Sequence, residues 1–141
     1  MSASDMSWNN ANFRLQAALT HDPALQGQQT GNKGSWLVVV EPGCVLNAAS
    51  LAEIENACRI RSIEIVQGVT PKAELERARK AVEAAMQRVE RPANFKGLRI
   101  LTDWARGKIR LVGDVEYGRV VAAEAGVEAL VVVVDGWIRR L

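Results

Sequence analysis

Histidine occurs once in this chain (His21), cysteine twice (Cys44 and Cys58), tyrosine once and phenylalanine twice. The cysteines show no C-x-x-C spacing and the histidine stands far from both, so the sequence offers no set of metal ligands. A disulfide framework is not needed either, because 141 residues can bury a core without one. Long apolar runs are also missing. The longest, residues 129–134, falls far short of the roughly 20 residues that span a bilayer, and the N-terminal MSASDMSWNN is polar rather than signal-like. These absences set the expectation of a protein made in a reducing cytoplasm, with no membrane partner and no bound metal or cofactor.

The strongest positive signal is residues 70–90, TPKAELERARKAVEAAMQRVE. Leu75, Ala78, Val82, Ala85 or Met86, and Val89 recur at three- and four-residue steps, which predicts an amphipathic helix of about five turns. Thr70 is expected as its N-cap, Pro71 takes the first helical position, and Pro92 closes it. Glu76 with Lys80 and Arg79 with Glu83 are expected to pair on the outer face.

A short helix, capped at Ser7 or Asn9 after a loose leader (1–7), is expected to run to about Thr20. The Asp22-Pro23 step ends it. Residues 22–34, rich in Gly and Gln, read as a mobile loop. Their glycine spacing lacks the Lys-Ser/Thr and following helix of a phosphate loop. SWLVVVE (35–41) reads as a strand stopped by Pro42-Gly43, and residues 44–46 as a further short strand. Ser50 with Glu53 resembles a capping box for one or two helical turns. RIRSIEIV (59–66) is the next strand, then 98–102 and 108–112 form a hairpin around Trp104–Gly107. Residues 114–126 admit a helix capped by Asp114 and ended by Gly126, or a strand. The helix is slightly favoured. The last strand, 127–135, lacks alternation in its second half, so it is either central with both faces covered or turned to another subunit. No internal repeat is visible. Together these readings predict one α+β domain over 1–141, with a mainly antiparallel sheet against the 70–90 helix and the short N-terminal helix.

Charge is spread unevenly. Residues 1–58 carry two Lys/Arg against five Asp/Glu, while residues 91–110 carry Arg91, Lys96, Arg99, Arg106, Lys108 and Arg110 against Asp103 alone. Such a stretch can meet phosphate, but its aromatic residues are not interleaved in the manner of a single-strand stacking platform, so a solvated or subunit-facing surface is favoured over nucleic acid. Trp8, Trp36, Trp104 and Trp137 outnumber all other aromatics. Trp8, Trp36, Trp137 and Ile138, with Arg106, Lys108 and Arg110, are the candidate subunit-interface residues. No catalytic set emerges. His21 sits in a turn with only Asp22 adjacent, and Asp103, Asp114 and Glu116 at strand ends read as solvated turn residues. Cys44 reads as a small hydrophobe, and Tyr117 with Arg119 forms no cluster. The chain therefore reads as non-enzymatic.

The order of a short N-terminal helix, a loop, WLVVVEPG, RIRSIEIV, a charged amphipathic helix and strands to an apolar C-terminus resembles the tail-terminator and tail-completion proteins of long-tailed bacteriophages. The resemblance lies in the order of elements, without a short motif, so no site residue is carried over. It implies an α+β subunit that closes into a homo-oligomeric, six-fold ring, ends tail-tube growth and joins tail to neck in the virion, without cofactor or reaction. In that setting residues 24–34 are expected to be a contact arm. The alternative is a small binding module for nucleic acid or another anionic ligand, using Arg99, Arg106, Lys108 and Arg110 within 91–110.

Overall fold

The computed structural model describes residues 3–136, with side chains from Trp8 onward. Contacts divide the chain into two compact units, Met1–Val69 and Thr70–Leu141. Each has its own cluster of buried apolar side chains. The expected single core over 1–141 is thus replaced by two.

The first unit runs α1 (Ala3–Thr20), β1 (Leu25–Thr30), β2 (Trp36–Val40), α2 (Ala48–Ala57) and β3 (Ile63–Gln67). β2 is central, antiparallel to β1 and parallel to β3. Ala11, Leu15 and Leu19 recur every fourth residue along α1 and meet Val38 and Val40 of β2 and Ile54 and Ala57 of α2. The hairpin reverses through a 3-10 turn, Asn32–Gly34, in which Lys33 (φ 61°) and Gly34 (φ 78°) adopt left-handed backbone.

The second unit repeats the plan with α3 (Lys72–Arg88), β4 (Leu98–Asp103), β5 (Lys108–Gly113), α4 (Val115–Ala125) and β6 (Val131–Asp135). β5 is central, antiparallel to β4 and parallel to β6. The apolar stripe expected for the long helix is the buried one: Leu75, Ala78, Val82 and Ala85 pack with Ile109, Leu111 and Val121. The likeness between the units extends to single positions. Asn47 caps α2 by accepting the Ser50 N–H, and Asp114 caps α4 by accepting the Tyr117 N–H. Gly68 and Gly136, each just past the last strand, are both crowded where a Cβ would stand, Gly68 by the Gln26 side chain and the Val40 carbonyl, Gly136 by Val112 and Gly113. The sequence shows no repeat because different apolar residues fill matching places, Val38 and Ile54 in one core, Leu111 and Val121 in the other.

Both sheets are mixed rather than mainly antiparallel. Each joins its parallel pair through a helix, as such connections require. The N-terminal helix is not short: at 18 residues it matches the 17 of α3. From residue 3 onward the expected loose leader is helical. The expected mobile loop at 22–34 is largely β1 and the 3-10 turn. Its Gln-rich run forms a strand because backbone pairing with β2, not side-chain hydrophobicity, supports an edge. Residues 44–46 are not a strand, and 59–62 form turns ahead of β3. Thr70 does not cap α3; its hydroxyl donates to the Gly107 carbonyl at 3.0 Å. Glu76 lies 4.0 Å from Lys72 rather than pairing with Lys80, and Arg79 pairs with Glu83 at 3.0 Å as expected. Residues 114–126 resolve as the helix, with Gly126 (φ 72°) ending it. β6 begins only at Val131 and is an edge strand rather than a central one.

Candidate anion-binding face

The geometry of the β4–β5 hairpin decides where the basic stretch points. Ile109 and Leu111 are fully buried beneath α3 and α4, so the alternate residues of β5 face away from the helices. The register places Arg99 beside Val112, Leu101 beside Arg110, and Asp103 beside Lys108. On the other side Arg110 and Val112 neighbour Val132 and Val134 of β6. One sheet face therefore carries Arg99, Lys108 and Arg110 among aliphatic side chains. Leu101 and Val132, on either side of Arg110, are 41% and 40% exposed.

Among the described residues, neither Arg99 nor Arg110 has a carboxylate within ion-pair distance. Lys108 donates from Nζ to the Ala129 carbonyl at 2.7 Å, which fixes its position and leaves its charge uncompensated. Asp103, the acid on this face, is buried and holds the hairpin turn: Oδ1 accepts the Arg106 N–H at 3.3 Å, and Oδ2 lies 3.9 Å from Arg106 Nε. Arg106 projects from the turn with a side chain 76% exposed. Gly107 (φ 66°) completes the reversal.

Trp8 and Trp36, expected as subunit anchors, are brought together inside the first unit. The Arg61 guanidinium lies 5.2 Å from the Trp8 ring centroid and 5.3 Å from that of Trp36. Trp36 Nε1 also donates to Gln28 Oε1 at 2.9 Å, and Gln28 and Gln16 exchange side-chain hydrogen bonds. Both tryptophans are half-buried and already engaged. Trp137 and Ile138 lie outside the described residues.

The remaining candidates do not converge. His21 is exposed at the end of α1, while its neighbour Asp22 is buried. The Asp22 carboxylate accepts the N–H groups of Ala24 at 3.0 Å and Asn47 at 2.9 Å. Burial alone pushes its pKa up. The Ser50 hydroxyl and the Asn47 and Ala24 amides outweigh that and leave it below the usual carboxylate range. Asp114 is committed to the α4 cap, and Glu116 stands in the first turn of that helix. Among the described residues, no group of three or more His, Cys, Asp or Glu is placed to hold a metal ion. Cys44 and Cys58 are both exposed thiols. No helix among the described residues is long and apolar enough to cross a membrane.

The role of Asp22 and the Arg61 stack both escape spacing rules. Each depends on chain segments brought together by the sheets. For Arg99, Lys108 and Arg110 a partial signal was present, since period-2 alternation within each strand fixes which of its own residues share a face.

Compared with known proteins, the chain matches no family model and no curated protein.

Proposed function

We propose that the chain is a non-enzymatic binding module for a phosphate-bearing polyanion. The observation that carries this reading is the convergence of Arg99, Lys108 and Arg110 on one open sheet face whose acid, Asp103, is taken up by the hairpin turn. A flat face with cations between aliphatic groups suits a backbone of repeated phosphates: the guanidinium forks grip phosphate oxygens while Leu101 and Val132 cover the apolar parts of the ligand. Among the described residues no base-stacking aromatic lies on this face, so binding is expected to be indifferent to sequence. The test is a titration of a fluorescent single-stranded oligonucleotide at several salt concentrations. Affinity is expected to fall log-linearly with salt. The triple variant Arg99→Ala/Lys108→Ala/Arg110→Ala is expected to lower that slope by about 2, at roughly 0.7 per neutralised phosphate. A triple variant that binds like the wild type would remove this reading.

A second reading, the ring-forming tail-end subunit, is favoured by the exposure of Leu101 and Val132 on the same face, which suits protein docking as well. Under it, identical subunits close into a ring in the virion and contact tail-tube and neck proteins without a cofactor. Light scattering across a concentration series, followed by negative-stain imaging, distinguishes it: closed rings support it. A species that never exceeds a dimer counts against it.

A further inference from the structure

Two strand edges of this chain are complementary, β3 in the first unit and β4 in the second. Among the described residues β3 pairs only with β2, and β4 only with β5, so each keeps one row of backbone groups outside its sheet. The Ser62 carbonyl accepts the Trp36 N–H at 2.9 Å, and the Gly68 N–H donates to the Val40 carbonyl at 2.8 Å. Even-numbered residues of β3 thus spend their groups on β2, and Ile63, Ile65 and Gln67 face outward. On β4 the Asp114 N–H donates to the Gly97 carbonyl at 3.0 Å, which commits the odd-numbered residues to β5 and turns Leu98, Ile100 and Thr102 outward. In its own unit the Ile63 carbonyl accepts from the Cys58 thiol, a weak donor at 3.8 Å, and keeps a second lone pair.

We infer that β3 of one copy pairs antiparallel with β4 of the next, so that sheets join across a seam between chains. Charge and apolar pattern select the same register. Glu64 and Arg99 are both exposed, and among the described residues neither has an ion-pair partner. With Glu64 opposite Arg99 of the next copy, Ile63 meets Ile100 and Ile65 meets Leu98 through their outward backbone groups. Glu64 and Arg99 then form a non-hydrogen-bonded pair, where side chains approach most closely. A slip of two residues one way sets Glu64 against Leu101, Ile63 against Thr102 and Gln67 against Leu98. The other way sets Glu64 against Gly97 and Arg99 against Ser62. Neither joins unlike charges, and the first also sets apolar side chains against polar ones. A parallel ladder pairs a residue facing the join with one facing away, as Trp36 and Ile63 do, and would put Glu64 and Arg99 on opposite faces. The helix side of the seam is open: Ile65 is 48% exposed, and a groove of about 490 Å³, lined in part by Leu75, Ile100 and Trp104, lies beside β4. Each copy brings one edge of each kind, so the seam repeats until it closes on itself or runs on as a filament. It needs no polyanion, and it gives the ring reading a contact.

The test uses the full chain and its mass in solution by light scattering across a concentration series. Wild type is expected to associate, and Glu64→Arg and Arg99→Glu each to raise the dissociation constant about tenfold, since an attraction becomes a repulsion. An equimolar mixture of the two variants, and the double variant Glu64→Arg/Arg99→Glu, are expected to associate again, because opposite charges then meet. Cross-linking fixes the register. In a Cys44→Ser/Cys58→Ala background, Glu64→Cys mixed with Arg99→Cys is expected to give a disulfide-linked pair on mild oxidation, and neither variant alone to give one. A wild type that keeps the mass of one chain up to millimolar concentration, charge variants that associate normally, a mixture that does not recover, or no cross-link in the mixture would overturn the pairing. So would a Glu64→Cys/Arg99→Cys double variant whose disulfide closes within one chain. Covalent dimers as the largest product of that double variant keep the pairing, closed by two seams, and remove the ring reading. Glu64 lies outside the cationic face, so loss of association in Glu64→Arg with oligonucleotide binding kept supports the seam and leaves the anion-binding reading in place.

Discussion

The Asp22 carboxylate accepts the backbone N–H of Asn47 at 2.9 Å, across 25 residues of chain. Asp22 ends α1, Asn47 caps α2, and the same carboxylate also takes the Ala24 N–H at the entry to β1. One buried acid thus ties three elements of the first unit. Its pKa lies below the ordinary value of 3.8, so folding is favoured by its ionised form. This contribution is complete above the unfolded value and is lost as pH falls toward and through the lowered folded value. Urea unfolding at pH 7 and near pH 3 is expected to show the loss. Asp22→Asn is expected to flatten it and to cost about 1–3 kcal/mol at pH 7, as for a buried charged hydrogen bond. A variant with wild-type stability at pH 7 would show that the tie is idle.

Gly118 sits inside α4, where alanine ordinarily gains up to about 1 kcal/mol. Here a Cβ would lie 2.8 Å from Val133 Cγ1. Val133 is stiff at χ1 and set in β6, so it cannot swing away freely. Gly118→Ala is therefore expected to destabilise by about 1–3 kcal/mol, the usual range for overpacking, as read from thermal or denaturant unfolding.

Arg61 between Trp8 and Trp36 is expected to give a coupling of about 0.5–1 kcal/mol per ring in double-mutant cycles with Arg61→Met, since the site is half-exposed. Indole fluorescence is expected to change in Arg61→Met at neutral pH. A cycle that closes to zero would mean the stack is proximity without attraction.

Leu111 is fully buried at the centre of the second core. Leu111→Ala is expected to cost about 2–5 kcal/mol in chemical denaturation. Leu101→Ala, on the opposite face of the same hairpin, is expected to cost far less in dilute solution.

Periodicity located α3, the β4–β5 hairpin and the buried stripe from Leu75 to Ala85, because those signals arise from neighbours three, four or two residues apart, while β2 was legible as a β-branched run stopped by Pro42-Gly43. Alternation within each of the two hairpin strands is also legible, but that Arg99, Lys108 and Arg110 share a face follows only from the register between β4 and β5. The mixed pairing was not legible, since whether β3 joins β2 parallel depends on where α2 returns the chain. Nor was β1: LQGQQT has no apolar alternation and becomes a strand only through its ladder to β2. The division into two units with one plan was hidden for a related reason. Burial constrains volume and polarity at matching places, not residue identity, so the repeat survives in topology while the letters differ. The engagement of Trp8 and Trp36 with Arg61, and of Asp22 with Asn47, was settled by tertiary structure alone, because only folding brings such distant residues within a few ångströms.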